Sequence, residues 1–429
     1  MSSTNLSVNI PASNLPRVVV IGGGFAGLRL CQKIDTSKFQ AVLLDRHNYH
    51  TFQPLLYQVA TAGLEPSSIS GPLRKLFKNK KNFFFRLAEV EHVAADENYV
   101  QTSLGKLEYD YLVVANGAKT NYFGNEDNYE GAFPLKQVSQ ALSLRNSALR
   151  CFEDALIVSD LEDKQALLNF VVVGGGPTGV EVSGAFSELK NNVLPKDYPE
   201  LDFSRMVVYL VEGGPRLLNG MSDNSHEDAM KALKDMGVIV KLNTRVDAYK
   251  NHLIEFSDGT KMKARTLVWA AGVTGNVISG LEAFSSKPSN RLKVDRYNLV
   301  ENSTNIYALG DIALMETEQF PKGHPQLAPV AIQQADLLVK NLKALLNNEA
   351  QKDFTYTDKG SMATIGRNRA VVDLPKKVHF KGIFAWMIWM FVHLMSIIGF
   401  RNKAVILFNW VWNYFTYDRS IRLILRARS

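Results

Sequence analysis

The clearest pattern in the chain is a pair of apolar runs, each of which ends in closely spaced glycines. The runs cover residues 17–21 (RVVVI) and 170–173 (FVVV). A short, continuous apolar run that stops at glycines is typical of a buried strand that turns into a helix. The pattern predicts two strand–turn–helix units, with these glycines at the turns: Gly22, Gly24 and Gly27 in the first, and Gly174, Gly176 and Gly179 in the second.

Both glycine runs have the spacing G-x-G-x-x-G. The first glycine permits a tight turn, the second lets a pyrophosphate approach the backbone, and the third lets the helix pack closely on the sheet. The N-terminal N–H groups of the helix can then hold the phosphates. Two such motifs predict two dinucleotide sites in one chain, an arrangement suited to electron transfer between cofactors. The alternative at each motif is a turn that only packs a helix on a sheet.

An acidic residue follows each motif at the end of the next apolar run, where it can accept hydrogen bonds from an adenosine ribose. Asp45 lies 18 residues after Gly27, and Glu212 lies 33 residues after Gly179. A carboxylate at Glu212 would repel a 2′-phosphate, so the second site should prefer NADH to NADPH. The longer second gap contains a polar stretch, residues 191–205, that predicts an inserted loop.

Length and cysteine content favour a large α/β body without disulfides. The 429 residues, 46% of them hydrophobic, allow two to three domains. The two cysteines, Cys31 and Cys151, lack CxxC spacing, so the sequence indicates neither a disulfide framework nor a thiolate metal site. No other metal site is indicated. Residues 1–16 lack the basic and apolar blocks of a signal peptide, which predicts a disordered arm and a cytoplasmic body.

Charge and apolar character are concentrated together at the C-terminus. The net charge is +7, and residues 380–429 contain seven basic residues against Asp418 alone, which accounts for +6. Nucleic-acid binding is disfavoured because residues 382–400 of the same segment have no Asp, Glu, Lys or Arg. This stretch would form a helix about 28 Å long. A second apolar stretch, 404–417, and an amphipathic end, 420–428, follow it. Residues 382–417 hold four of the five tryptophans.

Three interpretations of this segment compete. Aromatic and cationic residues together suit the interface of an anionic membrane, which favours a helical hairpin that lies in one leaflet. A true membrane span is the second interpretation, although 19 residues are marginal and His393 interrupts them. A buried dimer interface is the third. The interpretations are not exclusive, because an apolar helix can serve dimer and lipid together.

The predicted fold class is α/β, with two Rossmann-like domains and C-terminal membrane-associated helices. The dinucleotide domain of the first motif is expected to be discontinuous, with the second inserted into it. The predicted boundaries are an arm over 1–16, the first domain over 17–160 and 281–379, the second over 161–280, and the helices over 380–429. Gly310 and Asp311 follow an apolar run within the returning part. Asp311 could be a helix N-cap, a cofactor ligand, or both.

These motifs together resemble those of the type II NADH:quinone oxidoreductases, single-subunit NADH dehydrogenases of the two-dinucleotide-domain flavoproteins. The specific parts of the match are residues 49–61 (YHTFQPLLYQVAT) and the aromatic C-terminus. Residues 269–272 (WAAG), Gly310-Asp311 and residues 328–334 (APVAIQQ) also match. The glycine motifs alone would fit many flavoenzymes.

The resemblance implies non-covalent FAD at the first motif and NADH as co-substrate at the second. FAD would be held by Gly22, Gly24, Gly27, Asp45, Gly310 and Asp311, and NADH by Gly174, Gly176, Gly179 and Glu212. Glu181 matches the family's acid for proton transfer near the flavin. Its alternative is a first-turn glutamate that complements a helix dipole.

Gln333 matches a glutamine of the family's quinone pocket. Pro329 stands where the family often has another glutamine, and Asn116 replaces a threonine in the Ala-Thr-Gly turn. The first departure weakens the expected quinone contacts there. The second is conservative, because asparagine also suits turns.

The expected function is hydride transfer from NADH to FAD and then two-electron reduction of a membrane quinone, without proton pumping. The expected state is a homodimer, peripheral on the cytoplasmic face of the cell membrane, that binds no nucleic acid. A reductase for a soluble electron carrier and a non-catalytic redox-sensing flavoprotein are the alternatives. Disulfide reductases and sulfide:quinone oxidoreductases of this fold need a redox cysteine pair, which the sequence lacks.

Overall fold

The computed structural model describes residues 7–287, 289–418 and 421–425, which divide into two compact units. Unit 1 comprises the described residues of Met1–His50, Gly71–Lys119 and Val273–Asp358. Unit 2 comprises those of Thr51–Ser70, Thr120–Gly272 and Lys359–Ser429. Both units are discontinuous in sequence, and each contains one glycine motif. The predicted boundaries at residues 160, 280 and 379 stay predictions.

The helices and strands below are those of the described residues, in chain order. The α-helices are α1 Phe25–Lys33, α2 Leu56–Ala60, α3 Leu73–Leu76, α4 Val138–Ile157, α5 Leu161–Leu168, α6 Pro177–Glu188, α7 Leu194–Asp197, α8 Asp223–Asp235, α9 Ala328–Leu346, α10 Gly382–Ser396 and α11 Phe400–Thr416. The β-strands are β1 Arg17–Ile21, β2 Gln40–Asp45, β3 Tyr49–Thr51, β4 Ser70–Pro72, β5 Phe83–Leu87, β6 Val90–Ala94, β7 Tyr99–Thr102, β8 Gly105–Glu108, β9 Tyr111–Val114, β10 Ala118–Thr120, β11 Phe133–Pro134, β12 Asn169–Val173, β13 Val207–Val211, β14 Val238–Lys241, β15 Val246–Lys250, β16 Leu253–Phe256, β17 Lys261–Lys263, β18 Thr266–Trp269, β19 Val273–Gly275, β20 Ser285–Ser286, β21 Arg291–Lys293, β22 Ile306–Ala308, β23 Ala313–Leu314, β24 Ser361–Gly366, β25 Arg369–Leu374 and β26 Val378–Lys381.

A parallel sheet of strand order β22-β9-β1-β2-β5 forms the centre of unit 1. Strand β1 lies in the middle, and its residues Val18, Val19 and Val20 are fully buried. A strand buried on both faces explains the continuous apolar run in the sequence. Helix α1 packs on α9, where Arg29 Nε donates to Asp336 Oδ1 at 2.6 Å.

Unit 2 is centred on a second parallel sheet, of strand order β11-β18-β12-β13-β14. Strand β12 lies in the middle of it and is buried at all five residues, as β1 is from Val18 to Ile21 in unit 1. The C-terminal part of unit 2 is an antiparallel sheet, β24-β25-β26, on which α10 packs through Ala385 against Ala370 and Val372. The two sheets confirm the predicted α/β class and the strand–turn–helix units.

Helix α6 does not end in the loop that the sequence predicts. It continues beyond Glu188 through one π-helical turn, Leu189–Val193, into α7. Helical structure therefore extends to Asp197, inside the polar stretch expected to be an inserted loop. A π turn closes on the residue five positions ahead instead of four, and it is often found at functional sites.

The apolar C-terminal segment forms two helices joined at Gly399, whose φ of 85° is in the left-handed region. The sequence predicted one 19-residue helix over residues 382–400. In the structure, α10 ends at Ser396 and α11 begins at Phe400. Across the described ranges, no helix combines the length and apolar character needed to cross a membrane. Of the predicted amphipathic end, 420–428, only residues 421–425 are described, and they are not helical.

The predicted disordered arm differs from the structure over residues 7–16, whereas residues 1–6 lie outside the described residues. Val8 is buried in the core of unit 1, and its carbonyl oxygen accepts from Arg86 Nε at 2.6 Å. The Pro11 carbonyl accepts from Gln40 Nε2 at 2.8 Å. This stretch forms no helix or strand. Polar side chains bind its backbone, and the side chain of Val8 anchors it in the core.

Candidate functional site

The first glycine loop connects β1 to α1 and has the geometry of a dinucleotide cradle. Gly22 has a φ of 100°, and a Cβ there would lie 2.6 Å from the Ala115 carbonyl oxygen. A Cβ at Gly27 would lie 1.9 Å from the Gly22 carbonyl oxygen, so only glycine lets helix and strand approach this closely. A Cβ at Gly24 would meet nothing nearer than 4.0 Å, which leaves space beside the loop for a ligand.

The predicted partners of this loop in unit 1 also come together. Asp45 Oδ2 accepts the N–H of Gly23 at 2.6 Å, so the strand-end carboxylate is fixed beside the loop. A Cβ at Gly310 (φ 72°) would lie 3.7 Å from Ala26 Cβ, which places the Gly310-Asp311 pair next to the start of α1. The Gly310 N–H donates to Gln334 Oε1 at 2.7 Å.

His50 is also part of this site, although it was given no role within the matching run of residues 49–61. The side chain is buried, its Nδ1 lies 2.8 Å from the Gly23 carbonyl oxygen, and its ring meets Phe25 edge-on. Burial lowers the pKa of His50, so the ring is neutral and Nδ1 carries the hydrogen that Gly23 accepts. Nε2 is then a buried acceptor without a partner among the described residues.

A ligand with a hydroxyl or N–H donor near His50 and phosphate oxygens near the glycines would therefore fit this loop. FAD has both kinds of group, since its phosphates accept hydrogen bonds and its ribityl and ribose hydroxyls donate them. The cradle at Gly24 and the unpaired Nε2 of His50 fit FAD.

The second glycine loop, between β12 and α6, repeats the first loop closely. A Cβ at Gly174 (φ 109°) would lie 2.6 Å from the Ala270 carbonyl carbon, and a Cβ at Gly179 would lie 1.8 Å from the Gly174 carbonyl oxygen. No atom of the described residues lies within 4 Å of the Cβ position of Gly176. Glu212 accepts the N–H of Gly175 at 2.5 Å, as Asp45 does in unit 1. This loop fits a second dinucleotide.

Helix α6 brings Glu181 into the interior of unit 2. The side chain is buried, and a Cβ at Gly184 on the next turn would lie 1.6 Å from the Ile365 carbonyl oxygen, so α6 packs directly on β24. Burial raises the pKa of Glu181 to about 8, opposed by the Thr364 N–H and the Trp389 indole, which favour the charged form. Glu181 is therefore largely protonated at neutral pH and titrates close to it.

Glu181 lines a cavity within unit 2 that is mainly aromatic. Its empty volume is about 840 Å³, part of which is continuous with solvent. The rings that line it include Trp386 and Trp389 of α10 and Trp410 and Tyr414 of α11. A polar acid among aromatic walls is the composition of a site for a flat organic ligand.

Residues 52–61 (FQPLLYQVAT), which are part of the matching run 49–61, form another wall of the same cavity. Gln58 accepts from Trp410 Nε1 at 2.9 Å and donates from its own amide to the Tyr57 hydroxyl at 2.8 Å. Both residues line the cavity together with Thr61. The two most specific sequence signals, this motif and the aromatic C-terminus, are thus brought together around Glu181.

Gln333 is not among the residues that line this cavity. It lies on α9 in unit 1, where its amide donates to the Thr357 carbonyl and accepts from the Thr357 N–H, both at 2.9 Å. Its neighbour Gln334 is the glutamine that holds Gly310. Asn116 donates to the Asn276 carbonyl at 2.6 Å. A role of Gln333 toward a quinone stays a prediction.

The cysteines match the expectation of a chain without a redox pair. Cys31 and Cys151 are both free and buried, and burial raises the pKa of their thiols to about 12 and about 11. Buried thiols of this kind are unreactive. Within the described residues, no group of three or more His, Cys, Asp or Glu side chains could hold a metal ion.

Comparison with known proteins gives a consistent result. Residues 16–335 match the model of the pyridine nucleotide-disulphide oxidoreductases, and residues 359–417 match the NDH2 C-terminal domain. The chain is 35% identical to a type II NADH:quinone oxidoreductase of Mycobacterium tuberculosis, over 94% of this chain and 89% of that protein. A type II NADH:quinone oxidoreductase of Haemophilus influenzae is 30% identical, over 85% of this chain and 88% of that protein.

Among solved structures, the fold is similar to that of NDH2 from Plasmodium falciparum in complex with NADH. The TM-score is 0.87 at 23% sequence identity, over 96% of this chain and all of that one.

Proposed function

Because the chain belongs to the type II NADH:quinone oxidoreductases, we propose that it oxidises NADH and reduces a quinone, with FAD as its resident cofactor and without pumping protons. One observation carries the acceptor half of this proposal. Glu181, a buried acid whose pKa is raised to about 8, lines a cavity walled by tryptophans and tyrosines. A quinone head group is flat, apolar on its faces and able to accept hydrogen bonds at its edges, which suits this cavity.

The residues of the two glycine loops would hold the dinucleotides. In unit 1, the loop N–H groups and α1 would bind the FAD pyrophosphate, with Asp45 on the adenosine ribose and Asp311 on the ribityl chain. In unit 2, the second loop would bind NADH, and Glu212 would select it over NADPH. Bound FAD would supply a two-electron carrier that accepts hydride from NADH and returns the electrons to quinone.

Glu181 would hold and move the proton that the overall reaction consumes. NADH, one proton from solution and a quinone give NAD⁺ and a quinol, so one proton must reach the reduced quinone. A carboxyl group that is protonated at neutral pH can donate this proton at its Oε atoms and recover it from solvent through the open side of the cavity. The aromatic walls exclude bulk water from the head group.

We also propose that the C-terminal hairpin attaches the protein peripherally to the cytoplasmic face of the cell membrane. Large apolar side chains on α10 and α11 are exposed, and Arg401 and Lys403 lie at the start of α11. The most exposed are Phe384 (71%), Phe391 (66%), Phe400 (87%), Phe408 (66%) and Phe415 (76%). An apolar face beside cations suits an anionic lipid surface. A homodimer through the same face is a further proposal, and it does not exclude membrane attachment, because an apolar helix can serve dimer and lipid together.

The test of the catalytic proposal is anaerobic and uses the purified holoprotein. NADH is mixed with the protein and the loss of flavin absorbance at its visible band is followed, after which a short-chain quinone is added. We expect the band to bleach with NADH and to return with quinone. If the flavin bleaches but quinone does not reoxidise it, the assignment of the acceptor is wrong.

The attachment is tested by flotation with anionic liposomes. The double variant F384S/F391S should lose binding, whereas I157S, which removes a side chain that is 82% exposed at the end of α4, should bind as the unsubstituted protein does. If F384S/F391S floats normally but becomes monomeric by light scattering, the apolar face is a dimer interface instead.

A further inference from the structure

Arg367 is a charged residue of the quinone cavity that neither the sequence motifs nor the proposed mechanism uses. It lies in the hairpin turn between β24 and β25, and its side chain enters the wall of the cavity that contains Glu181. Its guanidinium carbon lies 4.1 Å from the ring centroid of Tyr414 and 4.0 Å from that of Tyr417. The cation is thus held between two aromatic rings.

The turn that carries Arg367 is fixed by its surroundings. Asn368 has a φ of 60°, a left-handed conformation that asparagine tolerates in turns. The Arg367 N–H donates to Glu188 at the end of α6. A Cβ at Gly366 would lie 2.8 Å from Met236 Cε, so the hairpin packs against the end of α8. The guanidinium is therefore positioned before any ligand arrives, which reduces the entropy lost on binding.

One nitrogen of this guanidinium has no hydrogen-bond partner in the described part of the chain. Arg367 Nη1 is buried and unpaired, although the side chain lines the cavity. Leaving a charged donor unpaired and away from water costs free energy, and an acceptor oxygen in the cavity would remove that cost. Arginine has only donors and remains charged, so the ligand must supply an acceptor.

A para-quinone supplies two acceptor oxygens at opposite edges of a flat ring. The cavity offers two groups that can donate to them, the protonated carboxyl of Glu181 and the guanidinium of Arg367. The tryptophan and tyrosine walls can stack on the faces of the ring. The chemistry of the cavity thus matches both the edges and the faces of a quinone.

We propose that Arg367 donates a hydrogen bond from Nη1 to one carbonyl oxygen of the quinone bound in this cavity. This inference rests on the proposed function and adds to it a substrate-binding residue. The positive charge stabilises the negative charge that develops on that oxygen as the quinone gains two electrons. Arg367 is not a proton source, because NADH and the proton delivered by Glu181 already balance the formation of quinol.

The test compares R367M, R367K and R369Q in the full-length holoprotein. R367M keeps an unbranched side chain between the two tyrosines but removes every donor, whereas R367K keeps a charge and a donor. R369Q is the matched control, since Arg369 lies two residues away and donates from Nη1 to the Ala232 carbonyl at 3.3 Å, outside the cavity lining.

Two quantities are measured: the affinity of a short-chain quinone, from its quenching of tryptophan fluorescence, and kcat/KM for the same quinone. A hydrogen bond to a charged group contributes about 1.5–3 kcal/mol, so R367M should lower kcat/KM about 10- to 150-fold. Quinone affinity should fall in parallel. R367K should recover part of the loss, and R369Q should match the unsubstituted protein.

Anaerobic reduction of the flavin by NADH separates the possible outcomes. Under the proposal, R367M is reduced by NADH as fast as the unsubstituted protein. If R367M and R369Q have equal quinone affinity and kcat/KM, or if R367M also loses flavin reduction, Arg367 has no specific role toward quinone and the inference is overturned. If quinone fails to reoxidise even the unsubstituted protein, the proposed function itself fails.

Discussion

The two glycine loops have nearly the same geometry, but the helices that follow them have different tasks. In each loop, a Cβ at the third glycine would lie within 2 Å of the carbonyl oxygen of the first. In each, the strand-end carboxylate accepts the N–H of the residue after the first glycine, Gly23 for Asp45 at 2.6 Å and Gly175 for Glu212 at 2.5 Å. The backbone cradle is therefore a common solution to holding a dinucleotide.

The difference lies in what the buried face of each helix contains. Helix α1 packs on α9, and its ion pair between Arg29 and Asp336 is about one-third exposed. A pair so exposed to solvent contributes little. Helix α6 instead buries Glu181 and leads into a π turn beside the aromatic cavity. Two nearly identical loops are thus followed by helices that differ in one buried acid, on which the proposed proton transfer depends.

The largest effect should come from adding a Cβ at the third glycine of either loop. The variants G27A and G179A both place a Cβ within 2 Å of a carbonyl oxygen, so strand and helix must separate, at a cost of roughly 1–3 kcal/mol or more. We expect G27A to be purified without flavin, and G179A to keep flavin but no longer to be reduced by NADH. Absorbance spectra and anaerobic NADH titrations measure both. Retention of flavin by G27A would contradict the assignment of the first loop.

The variant E181Q should remove the buried acid that distinguishes α6 from α1. A carboxyl that supplies a proton contributes about 10²- to 10⁴-fold to rate, so kcat with quinone should fall by that factor. Flavin reduction by NADH should be unchanged, since the second glycine loop is intact. Stopped-flow measurement of each half-reaction checks this. Equal slowing of both half-reactions would indicate a general structural role for Glu181.

The same variant should change how stability depends on pH. The pKa of Glu181 in the folded protein, about 8, is above its ordinary value of 4.5, so the folded state binds this proton more tightly. The resulting stabilisation is complete below about pH 4.5 and is lost as the pH rises through 8, by up to about 1.4 kcal/mol per pH unit. Urea unfolding across this range should show a smaller decline for E181Q. An identical decline would mean that Glu181 ionises normally.

A smaller effect is expected from substituting His50, which should change the affinity of the first loop for FAD. The variant H50N places an amide near the position of Nδ1, where it can still donate to the Gly23 carbonyl, but it has no counterpart of Nε2. The loss of one hydrogen bond to a hydroxyl, about 0.5–1.5 kcal/mol, should weaken FAD binding about 2- to 12-fold. Fluorescence titration of the apoprotein with FAD measures this. Unchanged affinity would show that Nε2 does not contact FAD.

The local parts of the fold could be predicted from the sequence, because each depends on residues close together in the chain. The runs that became β1 and β12, and the turns at Gly22 and Gly174, follow from apolar patterning and steric freedom. Asp45 and Glu212 were predictable because the next strand, which follows the helix, ends beside the glycine loop. Their contacts with the loop N–H groups agree with this.

The cavity could not be predicted in the same way. Its walls combine Gln58, Glu181, Arg367 and Trp410, which are up to 352 residues apart, and no periodicity connects them. No sequence motif includes Arg367. The polar stretch at residues 191–205 predicted a loop because its composition is hydrophilic, whereas α6 continues into it through a π turn.

That π turn has a consequence for how the chain tolerates changes in length. A helix with one π turn contains one residue more than a regular helix of the same length, so deleting a single residue there restores an ordinary helix. Because the extra residue is absorbed locally, the residues before and after the turn would keep their orientation. Val193, which now lines the cavity, lies within the turn itself, so the deletion would change the cavity wall there and leave the glycine loop and Glu181 in place. One-residue gaps at this position among relatives should therefore accompany altered quinone preference with unaltered use of NADH.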